Sequence, residues 1–462
     1  MKTFACIISS LFCLSGVGIL SIPYALSQGG WLSLILLFLV AILCWYTGLL
    51  LRRCMDAHPL IKTYPDVGEL AFGMKGRTMI ALFMYLELYL VAVEFLILEG
   101  DNLEKLFPDM SFKVAGLKIG GRQGFVLLAA LVILPTTWLR SLGLLAYLSA
   151  GGVFASVIVV GCVFWAGAVD GVGFHERGMV LNWSGLPTTI SLFVFCYCGH
   201  AIFPTLCTSM KDKSQFSKVK DDFFYFYFLW FYSFRKRECP VQHPGNLFFL
   251  YVLWLQVLLI CFALSTINYG SMAILGYLMF GENLRSQVTL NLPTGKMSSK
   301  LAIYTTLINP LTKYGIIITP IANAIEDTFS FHNSRPISIT IRTALVISTV
   351  VVALTVPFFG YIMEFIGAFL SVTVSMLFPC VFYLKINKAS RSFGLELIAI
   401  IAILALGSFV AVTGTYTSLR QIINRLWKII WRKFLVHINK ICNFTISQHV
   451  LIFQHLGIVD CT

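Results

Sequence analysis

The sequence predicts an all-helical membrane protein that crosses the bilayer about eleven times. The chain has 462 residues, of which 58% are hydrophobic and only 12% are charged, and its mean hydropathy is +0.84. A soluble domain carries about 25% charged residues because its surface faces water. Half that fraction excludes an ordinary soluble enzyme, and the high hydrophobicity excludes a disordered chain.

Eleven apolar runs are spaced along the chain, each with the length of a spanning helix. The runs cover residues 4–27, 31–51, 79–98, 123–139, 144–168, 186–208, 246–280, 300–322, 339–359, 361–385 and 394–418. The first run has no small-residue cleavage site, so we interpret it as a retained helix rather than a signal peptide. The seventh run has the length for one tilted helix with excess residues or for two tightly joined helices.

The net charge of +13 is interpreted as membrane topology rather than nucleic-acid binding. Even-numbered loops carry more Lys and Arg than odd-numbered loops, which places the N-terminus in the cytosol. We expect no nucleic-acid partner, because no basic stripe lies on a soluble fold. The thirteen cysteines mostly lie inside apolar runs without zinc-type spacing, so we expect no metal site.

Glycine and proline interrupt two of the runs. Residues 14–23 read LSGVGILSIP, and residues 195–204 read FCYCGHAIFP. They belong to the first and sixth runs, and broken helices at corresponding positions of two five-helix halves indicate a binding site at the membrane midplane. Freed backbone N–H groups suit a carboxylate and freed carbonyls suit an ammonium group, so the pair predicts a site for a zwitterionic amino acid.

A packing glycine is the alternative for either break taken alone, since transmembrane helices are rich in glycine. The candidate substrate-binding residues are those of the two breaks: Ser15, Gly16, Val17, Gly18, Tyr197, Cys198, Gly199 and His200.

Two titratable residues are the candidates for proton coupling. Glu94 is the deepest carboxylate of the third run, seven residues after Glu87, and an intramembrane carboxylate is costly and functional by default. His200 lies beside the second break, and histidine is the side chain that titrates nearest to neutral pH. The alternatives are a paired structural carboxylate and a satisfied core histidine. Glu87 and Glu99 have a weaker case because they lie nearer the ends of the run.

Motifs across about nine-tenths of the chain resemble the amino acid/auxin permease family. They include residues 16–25 (GVGILSIPYA), 46–52 (YTGLLLR), 98–103 (LEGDNL), 276–282 (GYLMFGE) and 309–314 (NPLTKY). Within that family the chain is similar to plant vacuolar amino acid transporters. The resemblance implies a LeuT-type 5+5 inverted repeat plus one extra helix. It also implies transport of neutral amino acids by proton symport or antiport, driven by the proton gradient without a cofactor.

The eighth and tenth runs carry further polar residues. Asn309, Thr312 and Lys313 are candidates for an ion site, with Lys313 as a fixed positive charge where related folds bind sodium. Snorkelling of Lys313 to an interface is the alternative. Glu364, near the start of the tenth run, is interpreted as interfacial.

The sequence departs from the family pattern in two places. We assign residues 1–418 to a transporter domain, in which residues 219–256 lose the resemblance and contain aromatic and basic clusters. This stretch is an interfacial segment or, as we prefer, a retained intron or mis-spliced gene model. Residues 419–462 form a basic amphipathic tail suited to an anionic lipid surface, or a readthrough product.

These observations favour a secondary transporter, with the vacuolar membrane preferred over the plasma membrane or another endomembrane. The sequence has no nucleophile–base constellation for an enzyme, no nucleotide loop for a pump and no selectivity filter for a channel. The alternatives that stay open are an amino-acid sensor that signals through partners, an auxin-type importer, and an inactive variant. The oligomeric state is not predicted.

Overall fold

The computed structural model describes residues 17–58, 61, 63–114, 117–138, 142–202, 204, 245–329, 334–356, 358–387 and 394–455. The described helices are α1 (Ile22–Gly29), α2 (Ser33–Asp56), α3 (Tyr64–Leu106), α4 (Gly121–Thr137), α5 (Leu142–Ala168), α6 (Leu186–Cys196), α7 (Gly245–Phe280), α8 (Met297–Thr328), α9 (Arg335–Thr355), α10 (Phe359–Phe365), α11 (Phe378–Ile386) and α12 (Leu395–His455).

The helical prediction is confirmed. Within the described part of the chain, seven helices are long and apolar enough to cross a bilayer, and three shorter apolar helices accompany them. The seventh apolar run forms one helix, α7, rather than two. One feature was not predicted, an antiparallel hairpin between α3 and α4. It pairs β1 (Phe112–Val114) with β2 (Leu117–Ile119), Phe112 opposite Ile119.

The first apolar run changes its helical geometry at its glycines. Val17–Leu20 is a 3₁₀ turn, and α1 begins directly after Ser21. The N–H and the hydroxyl of Ser21 both donate to the carbonyl oxygen of Gly18 at 3.0 Å. Pro23 lies in the first turn of α1, where its missing N–H costs nothing. The proline therefore starts a helix inside the run rather than only ending one.

Helix α3 is much longer than the apolar run that predicts it. It has 43 residues and begins with a capping box in which the backbone N–H of Thr63 donates to Asp66 Oδ2 at 2.8 Å. Gly73 has φ of 69° and joins two helical parts, a backbone conformation that favours glycine. Glu87 lies in the part of the helix that follows Gly73.

The tenth apolar run is a continuous helical segment with an unusual centre. Between α10 and α11 the chain forms two π-helical segments, Ile366–Ser371 and Thr373–Leu377. Segments with π-type hydrogen bonds are rare and frequently lie at functional sites. This segment packs against α6, whose end carries the second break.

A buried polar cluster joins α4, α8 and α9. We call it the Arg342 cluster, and it consists of Arg342, Glu326, Ser338, Thr319, Asn323 and Thr137. The guanidinium of Arg342, 2% exposed, donates to the carbonyl oxygen of Thr137 at 3.0 Å and to Asn323 Oδ1 at 2.9 Å. It also forms an ion pair with Glu326 at 3.4 Å. These contacts tie three helices together around one charge.

Parts of the two departures from the family pattern lie outside the described residues. Residues 219–244 are not described, and the rest of the stretch at 219–256 belongs to α7, which starts at Gly245. Helix α12 runs from Leu395 to His455 without an interruption at residue 418. Arg425, beyond that point, donates to the hydroxyl of Tyr361 at 3.3 Å.

Candidate functional site

The two broken segments lie against each other. A Cβ atom added to Gly18 would lie 2.5 Å from the sulfur of Cys196 and 3.3 Å from its Cα. Real Cβ atoms essentially never come as close as the first of these contacts, so the approach needs glycine at position 18. The breaks that the sequence places five spans apart are therefore neighbours in space.

A cavity opens beside this contact. Its wall combines the ends of the breaks with side chains of α3 and α8. The described lining residues are Gly18, Glu87, Leu88, Val91, Phe95, Phe195, Cys196, Cys198, Gly199, Ala201, Ile202, Lys313, Ile316 and Ile317. Among them the only charged groups are Glu87 and Lys313, one of each sign, and most of the others are apolar. Such a wall suits a small molecule that carries both charges and an apolar group.

The first break contributes backbone to the cavity. Ser15 and Gly16 lie outside the described residues. Val17 begins the 3₁₀ turn, and Gly18 borders the cavity. The carbonyl oxygen of Gly18 already accepts two hydrogen bonds from Ser21.

Only some of the predicted binding residues of the second break border the cavity. Cys198 and Gly199 border the cavity, but the hydroxyl of Tyr197 contacts Thr266 Oγ1 at 2.9 Å and the cavity wall does not include Tyr197. The carbonyl oxygen of Cys196, freed where α6 ends, accepts a hydrogen bond from the hydroxyl of Tyr269 at 3.1 Å. Within the described residues, the N–H groups of Gly199, His200 and Ala201 have no hydrogen-bond acceptor.

His200 turns towards α2. Its Nε2 lies 3.1 Å from both the carbonyl oxygen of Cys44 and Oγ1 of Thr47. A carbonyl oxygen only accepts, so the hydrogen-bond pattern assigns the proton of the neutral ring to Nε2. Nδ1 is buried and has no hydrogen-bond partner among the described residues. His200 is therefore anchored on one side and open to a donor on the other.

Glu94 is fully buried in α3 and does not border the cavity. Both of its carboxylate oxygens lack a hydrogen-bond partner among the residues that the structure describes. Burial of a carboxylate without hydrogen-bond partners is costly. The burial predicted from the sequence is found, and the contact with the cavity is not.

Among the described residues, Glu87 is the carboxylate that borders the cavity, although the sequence analysis ranks it below Glu94. It is 4% exposed, and its Oε1 accepts a hydrogen bond from Ser371 Oγ at 2.6 Å. Cys198 borders the same cavity.

The polar residues of α8 do not converge on one point. Lys313 is buried and borders the cavity, which excludes the snorkelling alternative. The hydroxyl of Thr312 donates to the carbonyl oxygen of Asn309 at 2.9 Å, within its own helix. Asn309 is buried, and its Oδ1 has no partner among the described residues. Of the three candidates, only Lys313 meets the cavity.

Glu364 is enclosed by neighbouring helices. Its side chain is 1% exposed, and its Oε1 accepts hydrogen bonds from Thr188 Oγ1 at 2.8 Å and Thr417 Oγ1 at 3.0 Å. The carboxylate thus lies between α6, α10 and α12, where the two hydroxyl groups compensate its burial.

The described residues contain no His, Cys, Asp or Glu group arranged to hold a metal ion.

Comparison with known proteins gives the family. The profile described as "Transmembrane amino acid transporter protein" matches residues 1–227 and 253–420. The chain belongs to the transmembrane amino acid transporter family. Family members similar to this chain include two from Arabidopsis thaliana: amino acid transporter AVT1I is 48% identical over 90% of this chain and 94% of its own length, and AVT1J is 46% identical over 89% of each.

More distant similarities agree with the family and the fold. The vesicular GABA transporter of Caenorhabditis elegans is 23% identical over 89% of this chain and 78% of its own length. The crystal structure of MhsT in complex with L-phenylalanine matches with a TM-score of 0.50 and 13% identity, over 88% of this chain and 98% of MhsT. The chain is thus a multi-pass membrane protein with the fold of LeuT-type transporters, and its family acts on amino acids rather than as enzymes.

Proposed function

We propose that this protein is a proton-coupled secondary transporter that moves neutral amino acids across the vacuolar membrane. The observation that carries the proposal is the contact between Gly18 and Cys196 beside a cavity whose wall holds Glu87 and Lys313. Two helix breaks that meet at a cavity are the arrangement in which one half of such a fold rocks against the other around a central substrate. The resemblance to the vacuolar branch of the family supports the choice of membrane.

The second break supplies the groups for the substrate carboxylate. The N–H groups of Gly199, His200 and Ala201 have no acceptor among the described residues, and Gly199 and Ala201 border the cavity. Open N–H groups at a helix break are a natural anion site. We assign residues 15–18 of the first break to the rest of this site, of which Gly18 borders the cavity. The apolar lining, with Val91 and Phe95, faces an uncharged substrate side chain.

Glu94 and His200 are the proposed proton carriers. Each has buried polar atoms without a partner among the described residues, two oxygens in Glu94 and Nδ1 in His200. A group in this state changes its hydrogen bonding strongly when a proton arrives or leaves. Lys313, buried at the cavity, supplies the fixed positive charge that takes the place of a sodium ion, and Asn309 and Thr312 lie on the same helix.

Radiolabelled uptake into proteoliposomes tests the transport proposal. The purified chain is reconstituted, a pH gradient is imposed, and a panel of neutral and charged amino acids is offered. We expect uptake of neutral amino acids that depends on the gradient and collapses when an ionophore dissipates it. Absence of substrate-dependent flux, with correctly inserted protein, contradicts the proposal.

The variant Glu94→Gln tests the coupling residue in the same vesicles. It removes the titration while conserving the shape of the side chain, so we expect normal folding and loss of pH-driven uptake. Glu99→Gln is the matched control, since Glu99 is also buried in α3 and lies outside the cavity wall. Unchanged uptake by Glu94→Gln at every pH removes Glu94 from the mechanism.

Two further measurements address the compartment and the unmatched segment. A fluorescent fusion in plant cells should mark the vacuolar membrane, and labelling of the plasma membrane contradicts that choice. Residues 228–252 lie between the two matched parts of the family profile. Flux that appears only after their deletion supports the gene-model interpretation of this stretch.

A further inference from the structure

Two backbone carbonyls at the helix breaks already accept hydrogen bonds. Gly18 O accepts from the N–H and the hydroxyl of Ser21, each at 3.0 Å, and Cys196 O accepts from the hydroxyl of Tyr269 at 3.1 Å. An ammonium group carries three donors and needs acceptors around it. A side-chain acceptor in the cavity wall would add to what these two carbonyls can offer it.

Glu87 is the acceptor that the cavity offers. The residue borders the cavity, and its carboxylate accepts a hydrogen bond from Ser371 Oγ at 2.6 Å. An ionised carboxylate has about four acceptor positions, and this donor occupies one of them. Further positions can accept from a ligand, while the hydroxyl of Ser371 fixes the orientation of the group.

The apolar surroundings of Glu87 favour a cation in the cavity beside its carboxylate. Leu88 and Val91 follow it along the cavity wall, and a carboxylate among apolar groups is stabilised by an adjacent positive charge. The charged group that α8 adds to the same wall is Lys313, which also has another interaction. From the π-helical segment Ile366–Ser371 and the second break, the neighbouring groups are the hydroxyl of Ser371 and the thiol of Cys198, both neutral. A bound ammonium group supplies a cation in direct contact with the carboxylate.

We propose that Glu87 binds the ammonium group of the substrate and so restricts the site to compounds with a free, cationic amino group. This inference rests on the proposed transport function and adds the residue that recognises the amine. It places the amine between α3 and the second break, and it leaves the open N–H groups of that break for the carboxylate. N-acylated amino acids are then excluded because they lack the cation.

Competition on the wild-type protein is the first test and does not depend on any variant. The probe is the radiolabelled neutral L-amino acid that the wild-type protein transports fastest in the proteoliposome panel. We expect its N-acetyl derivative to compete at least a hundredfold more weakly than the unlabelled amino acid. Equal competition by the N-acetyl derivative would overturn the proposal, because the site would then not require an ammonium group.

Variants of Glu87 provide the second test. We expect Glu87→Gln to raise the KM for the same amino acid at least tenfold, Glu87→Asp to raise it less, and Ser371→Ala to raise it about two- to threefold. Glu99→Gln, on the same helix and outside the cavity wall, should stay within twofold of the wild type. Thermal unfolding of each purified variant verifies the fold.

The outcomes separate this inference from the proposed function. A wild-type protein that transports no amino acid refutes the proposed function itself. Wild-type transport together with an unchanged KM in Glu87→Gln refutes only the ammonium assignment. Loss of pH-driven accumulation in Glu87→Gln with an unchanged KM also overturns the assignment, since Glu87 would then carry the proton instead.

Discussion

The Arg342 cluster and the helix breaks use buried polar groups in opposite ways. In the cluster, donors and acceptors from α4, α8 and α9 meet one guanidinium, which contacts a carbonyl, an amide, a hydroxyl and a carboxylate. At the second break Nδ1 of His200 has no partner within the described chain, and in α3 neither oxygen of Glu94 has one. A network in which every polar group has a partner holds helices in one arrangement, whereas polar atoms without a partner can still bind a proton or a ligand.

The largest expected effect comes from disrupting the Arg342 cluster, whose polar groups are hydrogen-bonded. Arg342→Met leaves Glu326 buried without its cation, which costs about 3–5 kcal/mol of unfolding free energy. Thermal unfolding of the purified protein in detergent measures the loss. Arg77→Met is the control because Arg77 is about half exposed in its ion pairs with Asp66 and Glu69, and exposed pairs contribute about 0–1 kcal/mol. Equal losses in both variants would mean that the cluster does not hold the helices together.

A medium effect is expected where the breaks touch. Gly18→Ala places a methyl group against Cys196, and overpacking of this kind costs about 1–3 kcal/mol of unfolding free energy, so we expect lower stability and slower transport. The double variant Gly18→Ala with Cys196→Ala should recover part of the rate because the sulfur is gone. Gly161→Ala is the control, since a Cβ there meets no atom within 4 Å. Normal transport by Gly18→Ala contradicts a close functional contact between the breaks.

The smallest expected effect concerns the anchor of His200. Thr47→Val removes the hydroxyl 3.1 Å from Nε2 and leaves the contact with the carbonyl of Cys44, so we expect a loss of about 1 kcal/mol in unfolding free energy. Thr340→Val, at an exposed position of α9, should change it by less than about 0.5 kcal/mol. Chemical denaturation in detergent compares the two. A Thr47→Val protein as stable as the control would show that His200 is held by the carbonyl alone.

The sequence predicted the pair of breaks because glycine and proline inside an apolar run are a local signal. It also predicted the burial of Glu94, which follows from the place of that residue inside an apolar run. Its ranking of Glu87 below Glu94 misjudged their positions, because the middle of the apolar run at 79–98 lies beside Glu87, whereas Glu94 is four residues from the end of the run. Hydropathy gives the extent of the run but not which of its side chains face a cavity.

Contacts between distant parts of the chain were beyond the reach of local patterns. The hydrogen bond from Ser371 to Glu87 joins residues 284 positions apart, and the bonds from Thr188 and Thr417 to Glu364 also join separate helices. Each of these carboxylates is an isolated charge in an apolar run when viewed along the sequence. Only the packing of the helices gives it donors, and the same packing turned His200 towards α2 rather than towards the cavity.

The π-helical centre of the tenth run has a consequence for how its length can vary. A π turn contains one residue more than an α turn, and each residue of an α-helix advances by about 100° around the axis. Removing one residue from Thr373–Leu377 would rotate α11 by about that angle relative to α10 while the helix stayed continuous. Ser371 lies immediately before this second segment. A one-codon insertion or deletion here would therefore change which side chains of α11 meet their neighbours and leave the partner of Glu87 in place.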